Sequence, residues 1–156
     1  MLIRAPGLFP AGQVLKSMVQ NVDIAPTILS CAGLDKPAQM VGESYIPLLQ
    51  GKEIPWRNRI FYEYYWEHEY PQTPTMHGVR TDNYKYIRYH GIWDTNEFYD
   101  LNEDPSELQN RIADPEYQDI IKQLDADLYD WLETTNGMFI PLKRTVRPHN
   151  DHRNEG

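Results

Sequence analysis

Few side chains in this sequence can do chemistry, and most fail the spacing that their chemistry requires. His68-Glu69 opens like a helical zinc motif, but residue 72 is Gln and Pro71 breaks a helix there. Asp100, Asn102 and Asp104 open like a calcium loop. That loop needs Gly at its sixth place and Glu at its twelfth, where this chain has Pro105 and Arg111. The expectation is a turn whose acidic residues cap the segment that follows. No glycine-rich phosphate loop occurs. Cys31, the one cysteine, ends an apolar run and reads as a small buried hydrophobe. It cannot form an internal disulfide, so it does not report the redox compartment.

The five histidines are His68, His77, His90, His149 and His152. His77 stands out. It precedes Gly78 at the entrance to a strand, after a loop rich in Pro and Thr. A strand-edge histidine beside such a loop can reach a ligand, though a solvated loop histidine fits the same residues. The aromatic run Tyr62, Tyr64, Tyr65, Trp66 can stack on sugar rings, or can form the core of a sheet.

The elements that must position these residues are short. Met1 to Ala5 reads as a lone opening strand closed by Pro6-Gly7. Asp23 suits the N-cap of a helix carrying Pro26 in its first turn, with Ile24, Ile28 and Leu29 on one face and Gly33 as the stop. A second turn runs from Ser44 to Gln50. Residues 59–66 are aromatic-rich and strand-like. Val79-Arg80-Thr81 and residues 84–89 flank Asp82-Asn83 as a hairpin, and residues 97–101 form a further strand. Asp114 and Pro115 then start a helix over 115–134. Its stripe is Tyr117, Ile120, Ile121, Leu124, Leu128, Trp131 and Leu132, and it stops before Asn136-Gly137. The fold class expected is α+β, a small antiparallel sheet of three to four strands packed against a C-terminal amphipathic helix.

Composition sets the outer bounds. The chain has 156 residues, 40% of them apolar and 24% charged, enough for a packed core and inconsistent with wholesale disorder. A net charge of −8 argues against nucleic acid as a partner. No apolar run reaches membrane-spanning length, and residues 1–12 lack the pattern of a secretory leader. The stretch 136–156 has little to bury and is expected to be disordered.

Several segments in order resemble the C-terminal part of the type I sulfatases of the alkaline-phosphatase-like superfamily. They are Leu2 to Gly7, Asn21 to Leu29 with Ala32-Gly33, and Gly42-Glu43-Ser44 with Pro47-Leu48-Leu49. Gly78 to Thr81 with Tyr84 to Ile87 follow, then Tyr99-Asp100-Leu101 with Asp104 to Glu107 and Asn110. The resemblance runs from residue 1 to about residue 133. It implies that residues 1–57 are a strand-loop-helix remnant of the large α/β domain, that 58–135 form the C-terminal subdomain, and that an N-terminal sulfatase domain is the partner. It implies a parent that hydrolyses sulfate esters, of carbohydrates by expectation, with formylglycine made from a Cys/Ser-x-Pro-x-Arg motif and with calcium. Ala32-Gly33-Leu34-Asp35 after Cys31 does not match that motif. This chain alone is therefore expected to hold no cofactor and to be inactive, since sulfate-ester cleavage needs a positioned nucleophile and a cation.

The resemblance places the loop from Glu67 to His77 near the substrate rim. The candidate substrate-binding residues are His77, His68, Trp66 and Arg80, with no catalytic residue and no metal ligand; Arg80 equally suits an ion pair with the main domain. Parents of this kind are often periplasmic, secreted or lysosomal. Met1 opens in mid-strand, which leaves open whether it is a natural start and points to a cut boundary, and the exposed strand edge is expected to favour a homodimer. A free-standing carbohydrate-binding or adaptor module and an independent metal-dependent hydrolase stay open as alternatives.

Overall fold

The structure is a computed structural model, and it describes residues 1–67, 73–91 and 94–139. Two compact units divide it, Met1–Ile60 and Phe61–Gly156.

In the first unit a 3-10 turn, Asn21–Asp23, leads into helix α1, Ile24–Cys31, and a single helical turn α2 covers Ile46–Leu49. Residues 1–5 form no strand. A strand is defined by its partner's hydrogen bonds, and among the described residues this segment meets no partner strand, so the opening strand expected there is not formed within this chain. Asp23 also departs from expectation. Its carboxylate does not cap α1. It is fully buried, accepts two bonds from the Arg57 guanidinium at 2.6 and 2.8 Å, and accepts the backbone N–H groups of Gln20 and Glu43, both at 2.8 Å. Burial alone would raise its pKa, but Arg57 and the two backbone donors outweigh burial and hold it below the ordinary carboxylate value. Thr27 continues the network: its hydroxyl donates to Asp23 O at 2.7 Å and accepts from Tyr45 N–H at 3.3 Å. The face of α1 turned inward carries Pro26 and Thr27, while Ile24, Ile28 and Cys31 are exposed, contrary to the apolar face and buried cysteine expected. Gly42 is required where it stands, since a Cβ there would lie 2.0 Å from Val22 O.

Strands β1 (Arg59–Tyr64, its first two residues counted in the first unit), β2 (Met76–Thr81), β3 (Tyr84–Tyr89) and β4 (Glu97–Asp100) form a four-stranded antiparallel sheet in sequential order. The β2–β3 hairpin pairs Val79 with Tyr86 and His77 with Arg88, and β3 pairs Tyr86 with Phe98 on β4. Thr81 closes the Asp82-Asn83 turn, its hydroxyl accepting from Tyr84 N–H at 3.0 Å. A 3-10 turn, Pro115–Tyr117, with Asp114 accepting from Glu116 N–H, starts helix α3, Gln118–Thr134.

The period-two face of the sheet meets the helical stripe. Val79, Tyr86 and Phe98 are buried against Ile121, Leu124, Leu128 and Leu132. Phe61 stacks on Trp131 at 4.7 Å between ring centres. Arg88 and the Tyr86 hydroxyl both donate to Asp125, at 2.8 and 2.9 Å, tying β3 to α3. Asn136 takes φ +59 and Gly137 N–H returns to Leu132 O at 2.8 Å, which ends the helix where the Asn-Gly pair predicts. The acidic run after β4 is a turn: Asp100 accepts from Asn102 N–H and Asp104 from Gln109 N–H. Among the described residues no helix is long and apolar enough to cross a membrane. Most of the stretch 136–156 that was expected to be disordered lies outside the described residues.

Candidate functional site

One end of the sheet gathers the chemistry-bearing side chains. β1 exits there, β2 enters, β3 exits and β4 enters, so the connections 65–75 and 90–96 share that end. One backbone bond joins them, His90 N–H to Thr75 O at 3.0 Å; beside it Trp66 N–H donates to the Thr75 side chain Oγ1 at 2.8 Å, and Tyr89 N–H to the Asn96 side chain Oδ1 at 3.0 Å.

His77 sits within this end, fully buried, and not at an open strand edge. Its Nδ1 lies 2.8 Å from Nε2 of His90, the two rings meeting at 69°. Tyr65 stands edge-on to His77 at 5.2 Å and donates its hydroxyl to Glu63 Oε2 at 2.5 Å. Burial lowers the pKa of His77 against a weaker pull from Glu63. His90 is pushed down to about 4, by burial first and then by His77 and Arg88. Tyr65 is pushed up to about 12 by burial and by Glu63. At neutral pH the pair is therefore uncharged. Uncharged and buried on the His77 side, it supplies no cation for a sulfate group.

Of the candidates named from sequence, the structure brings Trp66 and His77 to this end, joined through Thr75. His68 lies outside the described residues. Arg80 is exposed near the far end of β2, paired with Lys85 across the hairpin. Three residues from His77, it points to the opposite face of the sheet and lies about 10 Å along the strand. His90, Thr75, Glu63 and Asn96 were not singled out in the sequence. The hairpin carried a signal for His90: a turn at Asp82-Asn83 pairs His77 with Arg88 and so places residue 90 opposite residue 75.

Neither group implied by the resemblance fits these residues. No three His, Cys, Asp or Glu side chains converge to hold a metal ion among the described residues. Cys31 lacks the sequence that formylglycine formation requires.

Comparison with known proteins agrees with this architecture. The family model for the C-terminal region of N-sulphoglucosamine sulphohydrolase matches residues 1–134. The chain is 34% identical over 130 residues to an N-acetylglucosamine-6-O-sulfatase of Bacteroides thetaiotaomicron, covering 80% of this chain and 23% of that protein. It is 33% identical over 130 residues to a Δ4,5-hexuronate-2-O-sulfatase of the same organism, covering 82% and 26%. A protein solved in complex with its substrate D-glucosamine-2-N,6-O-disulfate superposes with a TM-score of 0.65 at 29% identity, over 75% of this chain and 24% of that one. The chain thus spans about a quarter of the length of these relatives. With its four-stranded sheet, covering helix and ordered motifs all accounted for, the chain belongs to the family of sulfatase C-terminal domains typified by N-sulphoglucosamine sulphohydrolase.

Proposed function

We propose that this chain acts as the C-terminal portion of a carbohydrate sulfate-ester hydrolase. The nucleophile and calcium-binding carboxylates come from polypeptide outside it, and the chain contributes a rigid support and part of the substrate rim. The observation that carries this reading is the family match over residues 1–134, together with relatives about four times as long. The relatives' names supply the substrate class, sulfated amino sugars or uronates. Sulfate-ester cleavage needs an activated nucleophile and a cation to offset charge on the sulfuryl oxygens, and neither is assigned to this chain. The sheet end that carries Trp66 is the part of the chain offered to the sugar, with Trp66 as the stacking surface.

A chimaera tests it. The matching segment of the Bacteroides N-acetylglucosamine-6-O-sulfatase, 23% of that protein, is replaced by this chain, and sulfate release from glucosamine 6-sulfate is measured. Release by the chimaera and none by the 156-residue chain alone is the expected result. Turnover by the chain alone, or a folded but inactive chimaera, overturns it. Tight binding of the sugar by the isolated chain, lost on Trp66→Ala, would favour a free-standing carbohydrate-binding module instead.

A further inference from the structure

Helix α3 covers one face of the sheet, the face that carries Val79, Tyr86 and Phe98. Side chains alternate along a strand, so Arg80, next to Val79, and Lys85, next to Tyr86, belong to the other face. The hairpin register places Arg80 and Lys85 opposite one another. Like charges paired in this way destabilise a sheet unless an anion answers them. Lys85 has its answer: Glu107 lies 2.5 Å from its Nζ, and the Tyr99 ring lies 5.9 Å from it. Arg80 has none. It is exposed and makes no ion pair among the described residues. Glu97, on the same face, already accepts the hydroxyls of Tyr89 and Tyr99 at 2.9 and 2.8 Å.

An aromatic surface lies beside this open guanidinium. Tyr62 of β1 is the one exposed large hydrophobic among the described residues of the four strands, at 54%. It borders Gly78, where a Cβ would lie 4.0 Å from the Tyr62 Cβ. No side chain rises at Gly78, so the surface next to the ring is low. Arg80 is two residues further along β2, about 7 Å away. An exposed ring, a low surface beside it and an unanswered cation at one end are the parts that recognise a sugar carrying an anionic ester. The ring takes the apolar side of a pyranose, and the guanidinium fork takes two ester oxygens.

We propose that the face of the sheet away from α3 binds a sulfated sugar residue, with Tyr62 stacked on the pyranose and Arg80 holding the sulfate. This site is separate from the sheet end that carries Trp66, and lies on the face opposite to His77. The choice of a sulfated sugar rests on the function proposed above, whereas the place of the site rests on Tyr62 and Arg80. A net charge of −8 repels an anionic polymer from most of the surface, which makes an uncompensated arginine the place where one can settle.

NMR amide shifts of the 156-residue chain test the site against three probes. They are an oligosaccharide of 6-O-sulfated N-acetylglucosamine, the same oligosaccharide without sulfate, and inorganic sulfate. The sulfated sugar should move the Tyr62, Arg80 and Lys85 amides saturably, and each of the other two should bind there at least about tenfold more weakly. Arg80→Gln should weaken binding of the sulfated sugar by about tenfold, and Tyr62→Ala by about fivefold. Tyr62→Phe keeps the ring and should stay within about twofold of the wild-type chain, which separates stacking from any loss of fold in Tyr62→Ala. Trp66→Ala, read at the Arg80 amide, should also stay within about twofold. Equal affinity for the desulfated sugar or for inorganic sulfate overturns the site. So does the absence of a saturable shift at Tyr62 and Arg80, or a shift confined to Trp66 and His90. An inactive chimaera beside intact binding through Arg80 removes the proposed enzyme and leaves this site; an active chimaera without such binding does the reverse.

Discussion

The two units of this chain are organised around different kinds of buried residue. The second encloses Val79, Tyr86, Phe98, Ile121, Leu124, Leu128 and Leu132, an apolar core shared between one sheet face and one helix stripe. The first encloses Asp23, Pro26, Thr27 and Tyr45, organised by an ion pair, and leaves Ile24, Ile28, Val14 and Leu2 exposed. An apolar core obtains its stability from area removed from water and tolerates some imprecision. A buried carboxylate depends on every partner being present, because an unpaired buried charge costs several kcal/mol. The second unit therefore carries its own folding information, and the first holds its shape through a few specific bonds.

Truncating the apolar core should have the largest effect. Leu128, fully buried under the sheet, should cost about 4 kcal/mol as Leu128→Ala, read from urea unfolding of the second unit's amides by NMR. Arg57→Leu should come next. It strands the Asp23 carboxylate and should destabilise the first unit by about 3 kcal/mol, leaving the amide shifts of Val79 and Leu128 in place. If the second unit unfolds with it, the two regions are not separable as the comparison requires.

Acid should separate them in a third way. Asp23 has a lowered pKa, so its contribution is present above the unfolded value of 3.8 and is lost as pH falls below it. The histidine pair of the second unit is affected earlier, between 6.5 and about 4. An acid titration followed by NMR should thus disturb the amides of Trp66 and His90 before those of Gln20 and Glu43; the reverse order would sink the assignment. The smallest effect is expected at Ile28, which is 62% exposed: Ile28→Ser should change stability by less than about 0.5 kcal/mol in the isolated chain. A cost near that of Leu128→Ala would mean that the first unit hides an apolar core after all.

Where local periodicity coincides with tertiary environment, the sequence was legible. Residues 84–89 form β3 as expected, and the stripe from Tyr117 to Leu132 faces the sheet as its spacing predicts. Asn136-Gly137 closes α3 for a local reason, the left-handed backbone at Asn136. Asp23 was misassigned because a capping aspartate and a buried ion-pair aspartate look alike until Arg57, thirty-four residues away, is placed beside it. Cys31 and Ile28 read as buried because their apolar character says nothing of which side of α1 receives a cover. That His77 is buried beside His90 was not legible in the sequence, because only the hairpin register brings the two together.

Alternation, helical spacing and turn residues thus determined on their own that this chain makes an antiparallel sheet with a covering helix, because those patterns act between near neighbours and need no distant contact. Which polar groups are buried, and in which protonation state, was decided only by tertiary structure. Desolvation and the facing charges exist only once segments such as 20–23 and 57, or 77 and 90, have been brought within bonding distance.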